Sequence, residues 1–229
     1  MSNEDKNAEN NVLTLDRERA DTRIAAIDKI ERYWLEIRGT RLVPSRCEVD
    51  PKGLDGVLGH AFILERITAG LARFRIAGSH MTELTGLELR QMPVSALFMP
   101  NSREILADAL GAAFDEPATV RARLESRGGF GRSRLEGEMV LLPLRSDLGD
   151  IDRVLGGIAL NGQIGRTPRR LEILSQSRQS LVGFAGPRHG TDRPSIATKG
   201  QTPQASDAPT STARTNAARS GLRLVVDNS

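Results

Sequence analysis

Three histidines, His60, His80 and His189, and one cysteine, Cys47, are the side chains of this 229-residue chain best suited to bind a metal or to move a proton near neutral pH. They are scattered along the chain without any recognisable ligand spacing. A single cysteine excludes an internal disulfide framework and a multi-cysteine zinc site, and it fits a reducing compartment. Ser79 and Ser102 have no histidine and carboxylate in register for nucleophilic catalysis, and no serine lies in a GxSxG elbow. Gly129-Phe130-Gly131-Arg132 invites comparison with a phosphate loop, but it lacks the Lys-Ser/Thr ending and the following helix whose N-terminus would hold the phosphate. A hairpin turn explains it better. With no catalytic constellation and no metal cluster, the sequence points to binding rather than to an enzyme. His80, just after Gly78, is the candidate hydrogen-bonding or pH-sensitive group, with a reference pKa near ~6.5. Met81, Met92 and Met99 offer flexible thioethers that suit an adaptable pocket or plain core filling.

These residues have to be positioned by secondary structure, and the apolar periodicity predicts it. From Asp21 to Arg38, the residues Ile24, Ile27, Ile30, Trp34 and Ile37 recur at three- and four-residue spacing on one helix face. Asp21 or Thr22 can cap its start and Gly39 its end. After a turn-rich stretch through Pro44 and Pro51, Ala61 to Ile67 reads as a strand, Thr68-Ala69-Gly70 as a turn and Ala72 to Ala77 as the hairpin partner. Alternation in that second strand puts Phe74 and Ile76 on one face and turns Arg75 outward. Gly78 to Phe98 carries short-helix and turn signals. Asn101 and Glu104 resemble a capping box for a second long helix with the stripe Ile105, Leu106, Ala109, Leu110, Ala113 and Phe114, stopped by Pro117. Three strand-like runs follow, Ala118 to Leu124, Ser133 to Leu144 and Arg153 to Leu160. The expected fold class is α+β, with a five-stranded antiparallel sheet, short helices on one face and a leading N-terminal helix.

The formal net charge of +3 conceals a division. Residues 161–229 hold ten basic against four acidic side chains, five of the eleven prolines and a single aromatic, Phe184. Such a segment cannot bury enough apolar area to offset an ordering entropy of roughly 1–2 kcal/mol per residue. The expected organisation is a disordered polar N-terminus over 1–20, a folded domain over 21–160 and a disordered basic tail over 161–229. The tail ends in a short apolar strand, Leu222-Arg223-Leu224-Val225-Val226, which either docks on a sheet edge of its own or a neighbouring subunit or on a partner protein, or stays free. The first twenty residues show neither a basic start nor an apolar run, and nowhere do eighteen apolar residues follow one another. A cytoplasmic location without a membrane span is the expectation. The spread of the tail's charges, with one aromatic for stacking, argues against more than weak, salt-sensitive association with nucleic acid.

The order of helix, two strands, short helices, long helix and three strands resembles the PAS fold, and particular residues sharpen the likeness to the stand-alone PAS proteins common in alphaproteobacteria. In the opening segment these are Tyr33-Trp34-Leu35, Arg38-Gly39-Thr40-Arg41, Leu42, Pro44, Arg46 and Asp50-Pro51. At the second strand and its exit they are Phe74-Arg75-Ile76-Ala77-Gly78-Ser79, Leu84-Thr85-Gly86 and Leu89. The resemblance covers roughly residues 24 to 160 and implies a signal-receiving or partner-binding module with a ligand cleft between sheet and short helices. It leaves the cofactor unknown. Light-sensing of the LOV type would require a cysteine after the second strand, whereas Cys47 precedes the first. Haem-binding members use an axial histidine on the long helix, and residues 101–117 contain none.

The expected ligand contacts in that cleft are Phe74, Ile76, His80, Met99, Leu124, Met139 and Leu141. The stripe Ile24, Ile27, Ile30, Trp34 and Ile37 is expected to form a homodimer interface, because large aliphatic side chains worth about 1.5–3 kcal/mol each need a partner surface. The alternative is that the helix caps its own sheet. The function so read is a sensory or regulatory protein that binds a small-molecule ligand or partner and acts on a separate signalling protein. The alternatives are a dimerisation adaptor with an empty cleft, or weak nucleic-acid association through the tail.

Overall fold

The computed structural model describes residues 25–182 apart from Gly131. Ile24, Phe184, His189, the polar N-terminus 1–20 and the apolar segment 222–227 lie outside them. Helix α1 spans residues 25–38 and stops at Gly39, whose φ of +56° suits glycine and whose amide donates to the Leu35 carbonyl. An arch of three 3-10 turns follows, Arg46–Glu48, Pro51–Leu54 and Leu58–His60. Then come β1 (Ala61–Thr68), β2 (Leu71–Ala77), α2 (Ser79–Thr85), two further 3-10 turns (Val94–Leu97 and Pro100–Ser102), α3 (Arg103–Phe114), β3 (Ala118–Ser126), β4 (Leu135–Leu144), β5 (Arg153–Asn161) and β6 (Glu172–Ser180).

The strands form one antiparallel sheet in the order β2-β1-β5-β4-β3-β6. Its two faces carry separate cores. Leu64, Phe74, Leu124, Met139, Leu141 and Ile158 point to the layer formed by α2, the 3-10 turns and α3. Ile63, Val140, Leu142, Leu155 and Ala159 point the other way, to α1 and the arch. Gly157 lets α1 approach closely, since a Cβ there would stand 2.7 Å from Ile30 Cδ1 and 3.2 Å from Ile27 Cδ1. Ile27, Ile30 and Trp34 are consequently buried within the single chain, and Ile37 is partly buried beside them. The Trp34 indole nitrogen donates to the Pro143 carbonyl at 2.9 Å. The surface that the sequence reading reserved for a second copy is thus met by the chain's own sheet, which removes the physical argument for a dimer through this stripe.

The sheet has six strands, not the expected five. The sixth, β6, lies in the segment read as a disordered tail, and pairs with β3 from Ala118↔Ser180 to Glu125↔Glu172. Its sequence, Glu-Ile-Leu-Ser-Gln-Ser-Arg-Gln-Ser, carries no apolar alternation because it is an edge strand whose stability comes from the backbone ladder. Leu171, just before it, and Ile173 reach the core on the α3 face, and Leu181, just after it, reaches the core on the α1 face. The expected Asn101/Glu104 capping box is also replaced: Ser102 is the N-cap of α3, while Asn101 Nδ2 donates to Glu172 Oε1 at 2.7 Å and Ser102 Oγ accepts from the Ile173 amide at 2.9 Å. Both polar groups tie the start of α3 to β6. At the opposite edge, Gln91 and Met92 exchange backbone hydrogen bonds with Phe74 and cover β2.

Candidate functional site

On the α1 face of the sheet, beneath the arch, the structure opens a cavity of about 450 Å³. Ala61 and Ile63 of β1, Ile76 of β2 and Leu155 of β5 form its floor, and Val49, Pro51, Leu54 and Leu58 of the arch form its roof. Gly59, Gly78 and Ser79 close one end, and Arg46 stands at the rim. This volume lies within the ~300–1,000 Å³ of small-molecule sites, and a mainly apolar lining with few polar groups is their usual composition.

A backbone irregularity creates the floor. Ile63 pairs with Ile76 but Leu64 pairs with Phe74, so Arg75 is an extra residue on β2, a β-bulge. The bulge reverses the alternation: Phe74 faces the α3 layer and is fully buried, whereas Ile76 faces the arch and is 49% exposed. The expectation that Phe74 and Ile76 share a face is corrected on this ground. Arg75 and Arg73 both reach Glu65 on β1, which also receives Arg153 at 2.8 Å. Burial works against the charged form of Glu65, but the Arg73 hydrogen bond and the charges of Arg153 and Arg75 outweigh it and hold the carboxyl below its usual range.

The roof is fixed by α1. Tyr33 Oη accepts from the Asp50 amide at 2.7 Å and lies within donating distance of the Asp50 and Glu48 carbonyls. Its ring packs so closely on Gly53 that a Cβ there would fall 2.1 Å from Cε2. Lys29 Nζ donates to the Asp55 carbonyl at 2.6 Å. The end wall depends on glycine as well, because a Cβ on Gly78 would meet the Gly59 and Leu58 carbonyl oxygens at 2.3 and 2.5 Å. Arg41 pairs with both carboxylate oxygens of Glu48 at 2.8 Å, and Glu48 also accepts from the Ser45 amide at 2.7 Å. The Arg41 pairing and the Ser45 amide hold the Glu48 carboxyl below its usual range.

The residues expected to line the ligand cleft are divided by the sheet. Phe74, Leu124, Met139 and Leu141 come together, each almost wholly buried, in the core between sheet and α3. Met99 is half-buried, and its amide donates to the Leu171 carbonyl at 2.8 Å. His80 is buried on α2 with its ring 4.5 Å from that of His60, and its Nδ1 lies 3.9 Å from Glu83 Oε2. Ile76 alone of this set lines the cavity described above. The arch residues and Ser79 were missed as a site. Their signal was faint: Val49, Leu54, Val57 and Leu58 are apolar residues in a turn-rich stretch, and three of them are buried.

A family model of the PAS domain matches residues 22–159, more than half of the chain. The chain belongs to the PAS domain family. The antiparallel sheet with helices between its second and third strands accords with that fold, and members of the family are sensory and regulatory modules. No curated protein matches the sequence. Among solved structures, the PAS domain is similar to one described as the structure of an RNA-binding Light-Oxygen-Voltage receptor, at 15% identity and a TM-score of 0.33. The likeness covers 50% of this chain and 34% of that one, so this chain spans about a third of its length. Among the described residues no helix is long and apolar enough to cross a membrane.

Proposed function

We propose that this PAS domain is a ligand-responsive regulatory module whose input enters the cavity under the arch, and whose output is a changed contact with a separate protein. The observation that carries this reading is the cavity itself, built of apolar residues from β1, β2, β5 and the arch. The roof is held to α1 by Tyr33 and Lys29. A ligand pressing the arch away from the sheet would strain these bonds and shift α1 relative to its seat on Gly157, which supplies a route from occupancy to surface.

Native mass spectrometry of the purified chain tests the reading. Wild type is expected to retain or take up a small ligand with an apolar body, and Ile76→Trp, which fills the cavity from a half-exposed position, to lose it. Retention of the ligand by Ile76→Trp at full occupancy overturns the assignment of the cavity.

A further inference from the structure

We infer that the cavity under the arch takes an amphipathic anion, with an aliphatic or single-ring tail between sheet and arch and a carboxylate or similar acidic head on Arg46. This inference rests on the reading of that cavity as the ligand site and names the ligand's chemical class.

Arg46 is the cation at the rim of an otherwise apolar site. Its backbone is fixed, since its amide donates to the Arg145 carbonyl at 2.8 Å and its carbonyl accepts from Val49. Its side chain is half-buried, yet among the described residues the guanidinium makes no ion pair and no hydrogen bond within the chain. The nearest acid in sequence cannot serve it. Glu48 presents both carboxylate oxygens to Arg41 and one of them also to the Ser45 amide. The next, Asp50, accepts from the Lys52 amide at 2.9 Å and starts the following turn.

The neighbouring arginines show the contrast. Arg41 is neutralised by Glu48, and Arg145 donates to the Gly149 carbonyl. A guanidinium left uncompensated beside apolar walls attracts an anion more strongly than one in open water, because the local dielectric is lower and its planar fork matches a carboxylate in bidentate fashion. A fully apolar ligand would leave that charge partly desolvated and unpaired, whereas a small inorganic anion would leave Ile63, Ile76, Leu54 and Leu58 without contact. A molecule with both an acidic head and an apolar tail satisfies both halves of the site.

The test compares decanoate with decan-1-ol, which share a chain and differ in the head. Binding of each, below its aggregation range, is followed by the methyl resonances of Ile63 and Leu155, both in the cavity lining, in wild type, Arg46→Met and Ile76→Trp. Decanoate is expected to bind wild type at least tenfold more tightly than decan-1-ol, with an affinity that falls as salt is raised. Arg46→Met is expected to abolish that preference while leaving decan-1-ol binding unchanged, and Ile76→Trp to weaken both ligands. Equal affinities in wild type, or a preference that survives in Arg46→Met, overturn the anionic head while the cavity remains a ligand site. Binding of neither ligand in wild type, or binding unaffected by Ile76→Trp, overturns the cavity reading and this inference with it.

Discussion

Phe74 and Ile76 are two residues apart on β2 and face opposite sides of the sheet, because Arg75 is bulged between them. Phe74 closes the core with Phe62, whose ring meets it edge-on at 5.6 Å, while Ile76 opens onto the cavity. Their substitutions should therefore separate. Phe74→Ala is expected to cost about 3–5 kcal/mol of unfolding free energy, the usual range for emptying a large aromatic site. Ile76→Ser should cost less than about 1.5 kcal/mol, because half of that side chain is already in water. Urea denaturation of the two variants measures both, and equal losses would place the two side chains in one core.

Gly157 sets the distance between α1 and the sheet. Gly157→Val introduces a branched side chain where Ile30 and Ile27 already stand, and overpacking of this kind costs about 1–3 kcal/mol. Thermal unfolding should show the loss. Pairing the change with Ile30→Ala should recover part of it, and a double variant no better than the sum of the single changes would contradict the packing described.

Trp34 is buried without exposure, and its single polar atom serves the Pro143 carbonyl. Trp34→Phe keeps most of the apolar contact but leaves that carbonyl without its donor, with an expected loss of about 1–3 kcal/mol. Proline has no amide of its own, so β4 is bound to α1 here through its acceptor alone. Slow exchange of the indole proton in wild type checks the bond directly.

The depressed pKa of Glu65 makes a contribution to stability whose sign is fixed by linkage. The carboxylate is favoured in the folded state, so its contribution is complete above the unfolded value near ~4.3 and is lost as pH falls through the lower folded value. Wild type should therefore lose stability on acidification through this window, and Glu65→Gln should show a flatter profile there while being less stable at pH 7. Parallel profiles for the two proteins would show that the Arg73, Arg75 and Arg153 contacts are not preferential in the folded state.

Truncation tests the sixth strand. Ending the chain after Gly162 removes Leu171 and Ile173, each worth about 1.5–3 kcal/mol when buried, and exposes the β3 ladder as an open edge. The truncated protein is expected to be strongly destabilised and to aggregate, whereas ending after Val182 keeps β6 and its ladder on β3 and serves as the control. A stable, monomeric 1–162 protein would make β6 dispensable.

Sequence alone was enough for the elements whose side chains repeat with a period. The α1 stripe, the β1–β2 hairpin, α3 and the strands β3 to β5 were legible because an amphipathic face repeats every 3.6 or every 2 residues, and the PAS likeness followed from their order. Three features were decided only in three dimensions. The bulge at Arg75 is a matter of pairing between two strands, and it transfers Ile76 from the expected cleft to the opposite face. The partner of the α1 stripe is a surface assembled from β4 and β5, more than a hundred residues further along the chain, so spacing could reveal the stripe but not what covers it. The strand β6 is stabilised by backbone hydrogen bonds to β3 that any side chain permits, which is why a run of serines and glutamines that reads as a tail completes the sheet.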